Sequence, residues 1–209
     1  MFKIIIQVII LIYLIAIFYH SSQLQKFNMN GFIIETYNQQ VMYDNMNILN
    51  PVLLKSDINY HSNEILPPTF KDKQVFQKVT IKNDFDLNQL PKPEFHFPIY
   101  KSISVIDKSI PLKQCIHNYN IVCILEGECI FYLFNPKHKD EIQNKENHQI
   151  KKWGHKKKVQ KSDILIIPPF WSYIQEVQKK VIQYHIDIDS YFTVIPNFLK
   201  ESYLGYIDE

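Results

Sequence analysis

The stretch Ser162–Val177, SDILIIPPFWSYIQEV, contains the strongest fold signal in this sequence of 209 residues. Four aliphatic residues, Ile164–Ile167, are followed by two prolines and an aromatic pair. Proline has no backbone N–H to donate within a central strand, so the first strand must end at Ile167. A second run with strand character begins at Tyr173. A buried strand, a proline corner and an aromatic cap together indicate the rim of a β-barrel or a β-sandwich.

The segment 116–134, IHNYNIVCILEGECIFYLF, has the strongest β pattern outside that corner. Two apolar runs flank Glu126-Gly127-Glu128, and a glycine between two such runs predicts a hairpin turn. Further strands are predicted at 52–54, 74–81, 99–106 and 181–188, and a short helix is predicted within 191–206. Many short strands with few helices predict a mainly β barrel or sandwich.

The N-terminus begins with an apolar run, Ile4–Phe18, in which Gln7 is the single polar residue. Extended to residues 2–19, the run reaches the lower limit of about 17 residues for a membrane-spanning helix. Bulky residues follow it, with no small-x-small cleavage site. The sequence therefore predicts an uncleaved signal anchor over residues 1–20, which makes this a single-pass membrane protein that contacts the membrane through residues 2–19.

Two regions follow the predicted anchor. Residues 21–48 are polar and rich in Asn and Gln, and they are predicted to form a stalk with a short entry helix or strand. Residues 49–209 have the length of one ordinary domain. Which side of the membrane holds that domain is left open by the weak charge difference across the anchor.

The charge composition limits the kinds of partner. The net charge is +2, which is too small to indicate binding to nucleic acid. All 23 basic residues are lysine, so no guanidinium is present for bidentate recognition of a carboxylate or phosphate. Abundant Ile, Asn, Tyr and Lys indicate an AT-rich genome, such as that of a large DNA virus or a protist. A viral origin would place the protein in a host or virion membrane.

Lysines concentrate in residues 137–161, which hold nine of them against three acidic residues. The low hydrophobicity of this segment predicts a loop. A solvated insertion is one interpretation. Contact with an acidic lipid surface, with Trp153 at the interface, is a second, and an acidic protein partner is a third.

The three cysteines, Cys115, Cys123 and Cys129, are spaced by eight and six residues. These spacings fit no common zinc motif, and the odd number does not favour a disulfide framework. We expect them to be small apolar fillers of the core.

Two stretches in this order resemble the JmjC-type, cupin-like iron(II)/2-oxoglutarate dioxygenases, and within them the asparaginyl-hydroxylase-like branch. In the first stretch, Asn120 and Gly127 have the family's separation of seven residues, and a strand that ends in Phe-x-Pro follows. In the second, Asp163, Pro168 and Trp171 occupy the places of the family's Gly-Asp, Ile-Pro and Trp motif. The resemblance covers about a third of the chain. It implies a double-stranded β-helix, which is a jelly-roll or cupin-like barrel, with these five residues as its structural motif.

The resemblance also locates the family's metal site. The family binds iron through two histidines and one carboxylate, which leave positions for the co-substrate and oxygen. The first His position falls on Gln114, the acidic position on Ile116 and the second His position on Tyr173. The lysine that holds the co-substrate falls on Cys129. All four are replaced, so the metal triad is expected to be degenerate, with no catalytic residue, metal or cofactor.

Other residues offer weaker alternatives for a site. His117 lies three positions from the expected histidine, a shift that on a strand turns the side chain to the other face. The pair His185-x-Asp187 has the spacing of two ligands on one face, but a strand end that faces solvent explains the pair better. Trp171 is expected to pack in the core or at the rim rather than to stack on a ligand.

Three hypotheses for function follow. The preferred one is a membrane-anchored, non-catalytic cupin-like module with a binding or assembly role. The alternative is an iron(II)/2-oxoglutarate-dependent protein hydroxylase with an atypical site. A third is a binder of a small ligand or sugar at the barrel mouth, lined by Tyr119, Tyr173 and Phe170. The identities of residues 114, 116 and 173 favour the first over the second.

Overall fold

The computed structural model describes residues 2–25, 31–55, 96–143 and 145–205. The strands are β1 (Ile34–Thr36), β2 (Val52–Leu54), β3 (His96–Ile106), β4 (Ile110–Gln114), β5 (Tyr119–Glu126), β6 (Glu128–Phe134), β7 (His155–Gln160), β8 (Ile164–Ile167), β9 (Ser172–Val177) and β10 (Val181–Ser190). The α-helices are α1 (Phe2–Gln25), α2 (Gln39–Asn47), α3 (Lys139–Ile142), α4 (Asn147–Ile150) and α5 (Val194–Gly205), and Pro136–His138 and Lys151–Trp153 form 3₁₀ turns.

The strands form two sheets. One has six strands in the order β1-β2-β8-β5-β10-β3, and the other has four in the order β4-β9-β6-β7. All pairs are antiparallel except β1 with β2. The chain changes sheet at the proline corner, where β8 continues into β9, and again at Gly127, where β5 continues into β6. The hairpin predicted at Gly127 is therefore wrong: β5 pairs with β8 and β10 while β6 pairs with β7 and β9, so Gly127 forms a corner between the two sheets. The described residues thus form a mainly β, cupin-like fold.

The sheets enclose one of the hydrophobic clusters. Side chains from β5 and β8 of the larger sheet meet side chains from β6, β7 and β9 of the smaller one, among them Val122, Leu165, Phe131, Val159 and Trp171, each at most 1% exposed. Because successive residues of a strand point to opposite faces, the residues between them on β5 and β8 face outward. In this protein the outward face is also apolar, which explains why Ile164–Ile167 reads as a continuous aliphatic run.

The outward face of the larger sheet is covered by α2. Met42 and Met46, one helical turn apart on α2, are at most 2% exposed and lie in the same cluster as Val52, Ile121 and Ile166. Residues 31–48 were expected to belong to a stalk with a short entry element. Instead, β1 extends the sheet beside β2 and α2 contributes to the core, because the two methionines form an apolar stripe in an otherwise polar sequence.

The lysine-rich segment 137–161 is not the loop that its hydrophobicity predicted. It contains two short helices and the strand β7, which pairs with β6 along its whole length. Two features make this structure compatible with the composition. Val159, Ile142 and Ile150 are buried, and lysine ammonium groups form ion pairs: Lys157 with Glu35 at 2.6 Å, Lys158 with Glu128 at 2.7 Å, and Lys151 with Glu176.

The N-terminal apolar run forms the helix α1, so the prediction of a helix is confirmed. Its apolar side chains are exposed from Ile4 through Phe18, except Ala16, which is 7% exposed. Tyr19 contacts Phe192 with a ring separation of 5.5 Å. Within the described ranges, the structure contains no helix that is both long enough and apolar enough to span a membrane. The strand predicted at 74–81 lies outside the described residues.

Candidate functional site

Strand β10 carries an alternating pattern that determines the chemistry of the barrel interior. Tyr184, Ile186 and Ile188 face the outer cluster under α2. The residues between them point to the opposite face and are polar: Gln183, His185, Asp187 and Asp189. All four are at most 8% exposed. A row of buried polar side chains on one face of a central strand is costly unless each one is hydrogen-bonded.

These four residues line a cavity of about 810 Å³. Its other walls come from β3, from the 109–113 segment that includes the start of β4, from β9 and from α5. Ser102 and Ser104 of β3 lie beside His185 and Gln183 on the same sheet and extend the polar surface, to which Lys113 of β4 also contributes, while Tyr173, Val194 and Phe198 supply apolar surface. A concave site that combines apolar walls with a few convergent polar groups is typical of small-molecule binding.

Asp187 is the centre of one hydrogen-bonded group in this cavity. Its Oδ1 atom accepts from Asn120 Nδ2 at 2.7 Å and lies 3.0 Å from His185 Nε2. The Nδ2 atom of Asn120 is also 3.0 Å from His185 Nε2, and its Oδ1 atom is buried with no partner among the described residues. Three polar side chains from two paired strands are thus held together at the floor of the cavity.

Asp189 organises a second group directly beside the first. Its Oδ2 atom is 2.9 Å from His117 Nδ1, and its Oδ1 atom accepts from the backbone N–H of Asn118 at 3.1 Å and from Asn197 Nδ2 at 2.8 Å. The other ring nitrogen of His117, Nε2, lies 3.9 Å from Asp187 Oδ2. The imidazole of His117 therefore links the two carboxylates, and Asn197 fixes α5 against the cavity.

The environment of Asp187 determines its ionisation. Burial alone raises the pKa of its carboxyl group, but the hydrogen bond and charge of His185, with the charges of His117 and Lys113, outweigh burial and lower the pKa. Asp187 is therefore ionised at neutral pH. The cavity consequently presents a carboxylate that is already partnered rather than a free negative charge.

Two of the weaker alternatives require correction. His185 and Asp187 were expected at a solvent-facing strand end, but they lie in the interior, 8% and 7% exposed, because β10 is flanked by β3 and β5 on both sides. His117 was expected to point away from any site. It lies in the connection between β4 and β5, where strand alternation does not apply, and it faces the same cavity.

The three positions at which the resemblance places a metal triad lie close together in the structure. Gln114 ends β4 and pairs with Ser172, beside Tyr173 on β9, and Ile116 follows two residues later. Gln114 Nε2 lies 3.4 Å from the carbonyl oxygen of Phe170, and Ile116 is 9% exposed. Of the three, Tyr173 alone lines the cavity. Its pKa is raised well above 10.0, first by burial and then by Cys115 and Asp187, so the phenol is neutral.

The position that corresponds to the co-substrate lysine is Cys129 on β6. Its thiol is 3% exposed within the inter-sheet cluster and accepts from Gln175 Nε2 at 3.5 Å. Burial raises the pKa of Cys129 to about 11, although the hydrogen bond from Gln175 opposes the rise. A neutral, buried thiol provides no positive charge for a carboxylate ligand.

The residues of the structural motif have clear roles in the corners. Gly127, at φ +86°, forms the turn between β5 and β6. Asp163 accepts from Lys55 Nζ at 2.7 Å and from the backbone N–H of Gln160 at 2.9 Å, which closes the turn into β8. Pro168 is buried at the following corner, and Trp171 is fully buried and donates to the carbonyl oxygen of Leu49 at 3.2 Å.

The cavity differs from the mouth that was expected to bind a small ligand. Tyr173 does line it, but Tyr119 packs in the outer cluster under α2 and Phe170 lies in the corner after the prolines. The sequence interpretation did not identify the inward residues of β10 as one site. The sequence does contain a signal for them: the pattern Gln-x-His-x-Asp-x-Asp places a polar residue at every second position of an otherwise apolar strand.

Within the parts of the chain that the structure describes, no group of three or more His, Cys, Asp or Glu side chains is arranged to hold a metal ion. The three cysteines are buried and unbridged. Burial raises the pKa of each thiol, and the nearby carboxylate of Asp187 adds to the rise at Cys115.

Similarity to known proteins is weak. A scan against protein-family models found no matching family, and a search of curated proteins found no match. Among solved structures, the chain is similar to a cupin-2 domain containing protein from Shewanella frigidimarina, at 6% identity and a TM-score of 0.31, over 46% of this chain and 74% of that one.

The chain is also similar to two other solved structures. One is the Drosophila melanogaster CENP-C cupin domain, at 11% identity and a TM-score of 0.31, over 42% of this chain and 59% of that one. The other is Streptomyces albus HEPD with 2-hydroxyethylphosphonate and Fe(II) bound, at 11% identity and a TM-score of 0.32, over 48% of this chain and 21% of that one. The match spans less than two-thirds of these two chains. These likenesses concern the fold and carry no statement about activity.

Proposed function

We propose that this protein is a membrane-associated, non-catalytic cupin-like module that binds a small polar ligand inside its barrel. The observation that carries the proposal is the cavity of about 810 Å³ beside β10. Its volume lies within the range of about 300–1,000 Å³ that is usual for small-molecule sites.

The lining of the cavity favours a ligand that is polar but not strongly charged. Asp187 and Asp189 are each partnered by protein groups, and Lys113 contributes one positive charge. The hydroxyl groups of Ser102 and Ser104 can both donate and accept, and the ring of Tyr173 offers a flat apolar face. Hydroxyls, planar polar groups and an aromatic ring together match the chemistry of a polyhydroxylated molecule such as a saccharide.

The residues at the family's metal positions do not fit an iron(II) site. Binding of a dication needs anionic or neutral nitrogen and oxygen ligands in a suitable set. Ile116 is an alkyl group in the place of the carboxylate, and Tyr173 carries a phenol that burial keeps neutral. Cys129 leaves the co-substrate position without a cation. These features support a descent from a JmjC-like barrel whose metal chemistry is lost, over the alternative of an active dioxygenase.

Association with a membrane is supported by the exposed surface of α1. Every residue from Ile4 to Ile15 is exposed, so no face of this part of α1 is covered, with Ile9 at 60% and Leu11 at 58%. A helix that is apolar on every side needs an apolar environment around its whole circumference. The hydrocarbon of a bilayer provides one, and we assign residues 2–19 to it.

The lysine-rich segment 137–161 is a candidate for an additional contact with an acidic lipid surface or an acidic protein. The charge that it offers is smaller than the sequence implies, because Lys151, Lys157 and Lys158 form ion pairs within the protein. Lys152 lies over the ring of Trp153, and this pair is exposed. Electrostatic contact of this kind weakens as salt is raised.

Ligand binding is tested by saturation-transfer-difference NMR with a panel of neutral, amino and acidic monosaccharides and disaccharides on the full chain in detergent micelles. We expect saturation transfer to at least one neutral saccharide, and its loss in the double variant Ser102→Val/Ser104→Val. The matched control is Ser172→Val, a buried serine of β9 that is not among the residues that line the cavity. No transfer to any member, or transfer that survives the double variant, would refute a saccharide site in this cavity.

The non-catalytic assignment is tested separately by anaerobic calorimetry with iron(II) and 2-oxoglutarate. We expect no stoichiometric heat at micromolar concentrations of either species. Binding at a ratio of one to one, or release of succinate that depends on a partner peptide, would instead establish the dioxygenase alternative.

A further inference from the structure

Helix α5 exposes an apolar stripe that the barrel does not explain. Ile195, Phe198 and Leu199, at helical spacings of three and four, are 61%, 65% and 59% exposed, and Tyr191 just before the helix is 65% exposed. We refer to these four residues as the α5 patch. On the opposite side of the helix, Asn197 is 3% exposed and donates to Asp189, so the orientation of α5 is fixed.

The α5 patch is continuous with α1. The ring of Tyr19, near the end of α1, contacts the ring of Phe192, which lies between Tyr191 and α5. Ala16, one turn earlier, is the buried residue of an otherwise exposed apolar run. The end of α1 therefore lies against the domain next to the start of α5. Whatever apolar environment surrounds α1 is adjacent to the α5 patch.

We infer that the α5 patch lies against the same bilayer as α1 and places the α5 wall of the cavity at the membrane surface. This inference rests on the proposed association of α1 with lipid. A protein partner covers one face of a helix, whereas residues Ile4 to Leu11 of α1 are exposed on all faces, which favours lipid as the environment. Aromatic and aliphatic side chains of an amphipathic helix are well suited to the boundary between headgroups and acyl chains.

The inference has a structural consequence for the binding site. Val194 and Phe198 of α5 both line the cavity. Phe198 also belongs to the α5 patch, and Val194 is next to it in sequence. A cavity wall that rests on the bilayer places the bound ligand next to the lipid headgroups. The ligand can then enter the cavity from the membrane surface. Such access suits the polar headgroup of a lipid as well as a free polar molecule.

Site-directed fluorescence distinguishes this inference from the underlying proposal. One cysteine at a time is added to the full chain by Ile9→Cys on α1, Leu199→Cys in the α5 patch or Tyr37→Cys. Each added thiol is labelled with NBD under native conditions, in which the three native cysteines are buried. Tyr37 is 76% exposed and follows β1, the edge strand farthest from β3 and the cavity, so it is the matched control. The protein is reconstituted into phosphatidylcholine vesicles, and quenching is measured with aqueous iodide and with doxyl-labelled phosphatidylcholine.

We expect the labels at residues 9 and 199 to be quenched by the doxyl lipid and protected from iodide several-fold relative to residue 37. Lipid quenching at residue 9 but not at residue 199 would overturn the inference and leave the membrane association of α1 intact. Absence of lipid quenching at both residues would overturn the membrane association itself. Protection of residue 199 from iodide without lipid quenching would show that protein, such as a second copy, covers the patch, and would also overturn the inference.

Discussion

Asn120 and Asp187 are partners across the β5–β10 pair, and Nδ2 of Asn120 donates to Oδ1 of Asp187 at 2.7 Å. The bond lies at the floor of the cavity and joins two side chains that are 3% and 7% exposed. A buried carboxylate depends on such donors, because its charge is costly to transfer out of water. This pair therefore contributes both to the stability of the barrel and to the shape of the proposed binding site.

Replacement of Asn120 by Leu is expected to destabilise the protein by about 1–3 kcal/mol, since it removes the amide donor to the buried carboxylate of Asp187. Urea denaturation of the full chain measures the change in the free energy of unfolding. The double variant Asn120→Leu/Asp187→Leu is expected to lose less stability than the sum of the two single variants, because both remove one interaction. Strict additivity would show that the two side chains are not coupled.

The stability of the protein is expected to depend on Asp187 at acid pH. Its pKa in the folded protein is lower than the ordinary value of 3.8, because the hydrogen bond and charge of His185 and the charges of His117 and Lys113 outweigh burial. Its contribution is therefore complete above the ordinary value and is lost as the pH falls through the lower, folded pKa. Denaturation of wild type and Asp187→Asn between about pH 6 and pH 3 should show a smaller dependence on pH in the variant. Glu128→Gln, at an exposed ion pair with Lys158, is the control, and parallel curves for wild type and Asp187→Asn would contradict the assignment.

Trp171 is expected to be a principal contributor to core stability. It is fully buried in the inter-sheet cluster and its indole N–H donates to Leu49, so Trp171→Ala should cost about 3–5 kcal/mol. The matched control is Trp153→Ala. That indole is 38% exposed, and its loss should change the free energy of unfolding by about 0.5 kcal/mol or less. Equal effects of the two substitutions would show that Trp171 does not have this role.

Gly127→Ala is expected to destabilise the corner at which β5 of one sheet continues into β6 of the other. The residue has φ +86°, and an added Cβ would lie 2.9 Å from the carbonyl oxygen of Lys180, so strain and a backbone clash combine. We expect the free energy of unfolding, measured by urea denaturation, to fall by about 1–3 kcal/mol. Glu128→Ala removes an exposed ion pair at the next position and should cost no more than about 1 kcal/mol. A neutral Gly127→Ala variant would contradict the turn geometry.

The cysteines are expected to react slowly with thiol reagents in the folded protein. All three are buried, and burial raises the pKa of Cys129 to about 11 and those of Cys115 and Cys123 further. The thiolate is the reactive form, so labelling by DTNB at about pH 8 should be complete only after denaturation. Rapid labelling of one thiol in the native state would identify an opening of the barrel near that residue.

The sequence by itself determined the corners and the strands between them. The proline pair after Ile164–Ile167 ended a strand, Gly127 marked a turn between two apolar runs, and the aliphatic runs marked buried strands, because these signals act through local backbone chemistry. That the turn at Gly127 joins two different sheets instead of closing a hairpin was decided by the pairing of distant strands. The same local rules misjudged β7, because its lysines form ion pairs with residues that are distant in sequence. Lys157 pairs with Glu35 of β1, and Lys158 pairs with Glu128 at the start of β6.

The tertiary structure alone decided where the polar residues of β10 point. His185-x-Asp187 is compatible with a solvent-facing strand end until β3 and β5 are known to flank β10 on both sides. His117 joins the same cavity from a connection whose course no periodicity predicts, and it reaches Asp189 across 72 residues of sequence. Burial of a polar side chain depends on which strands become neighbours, and that choice is made by packing over the whole chain rather than by any local pattern.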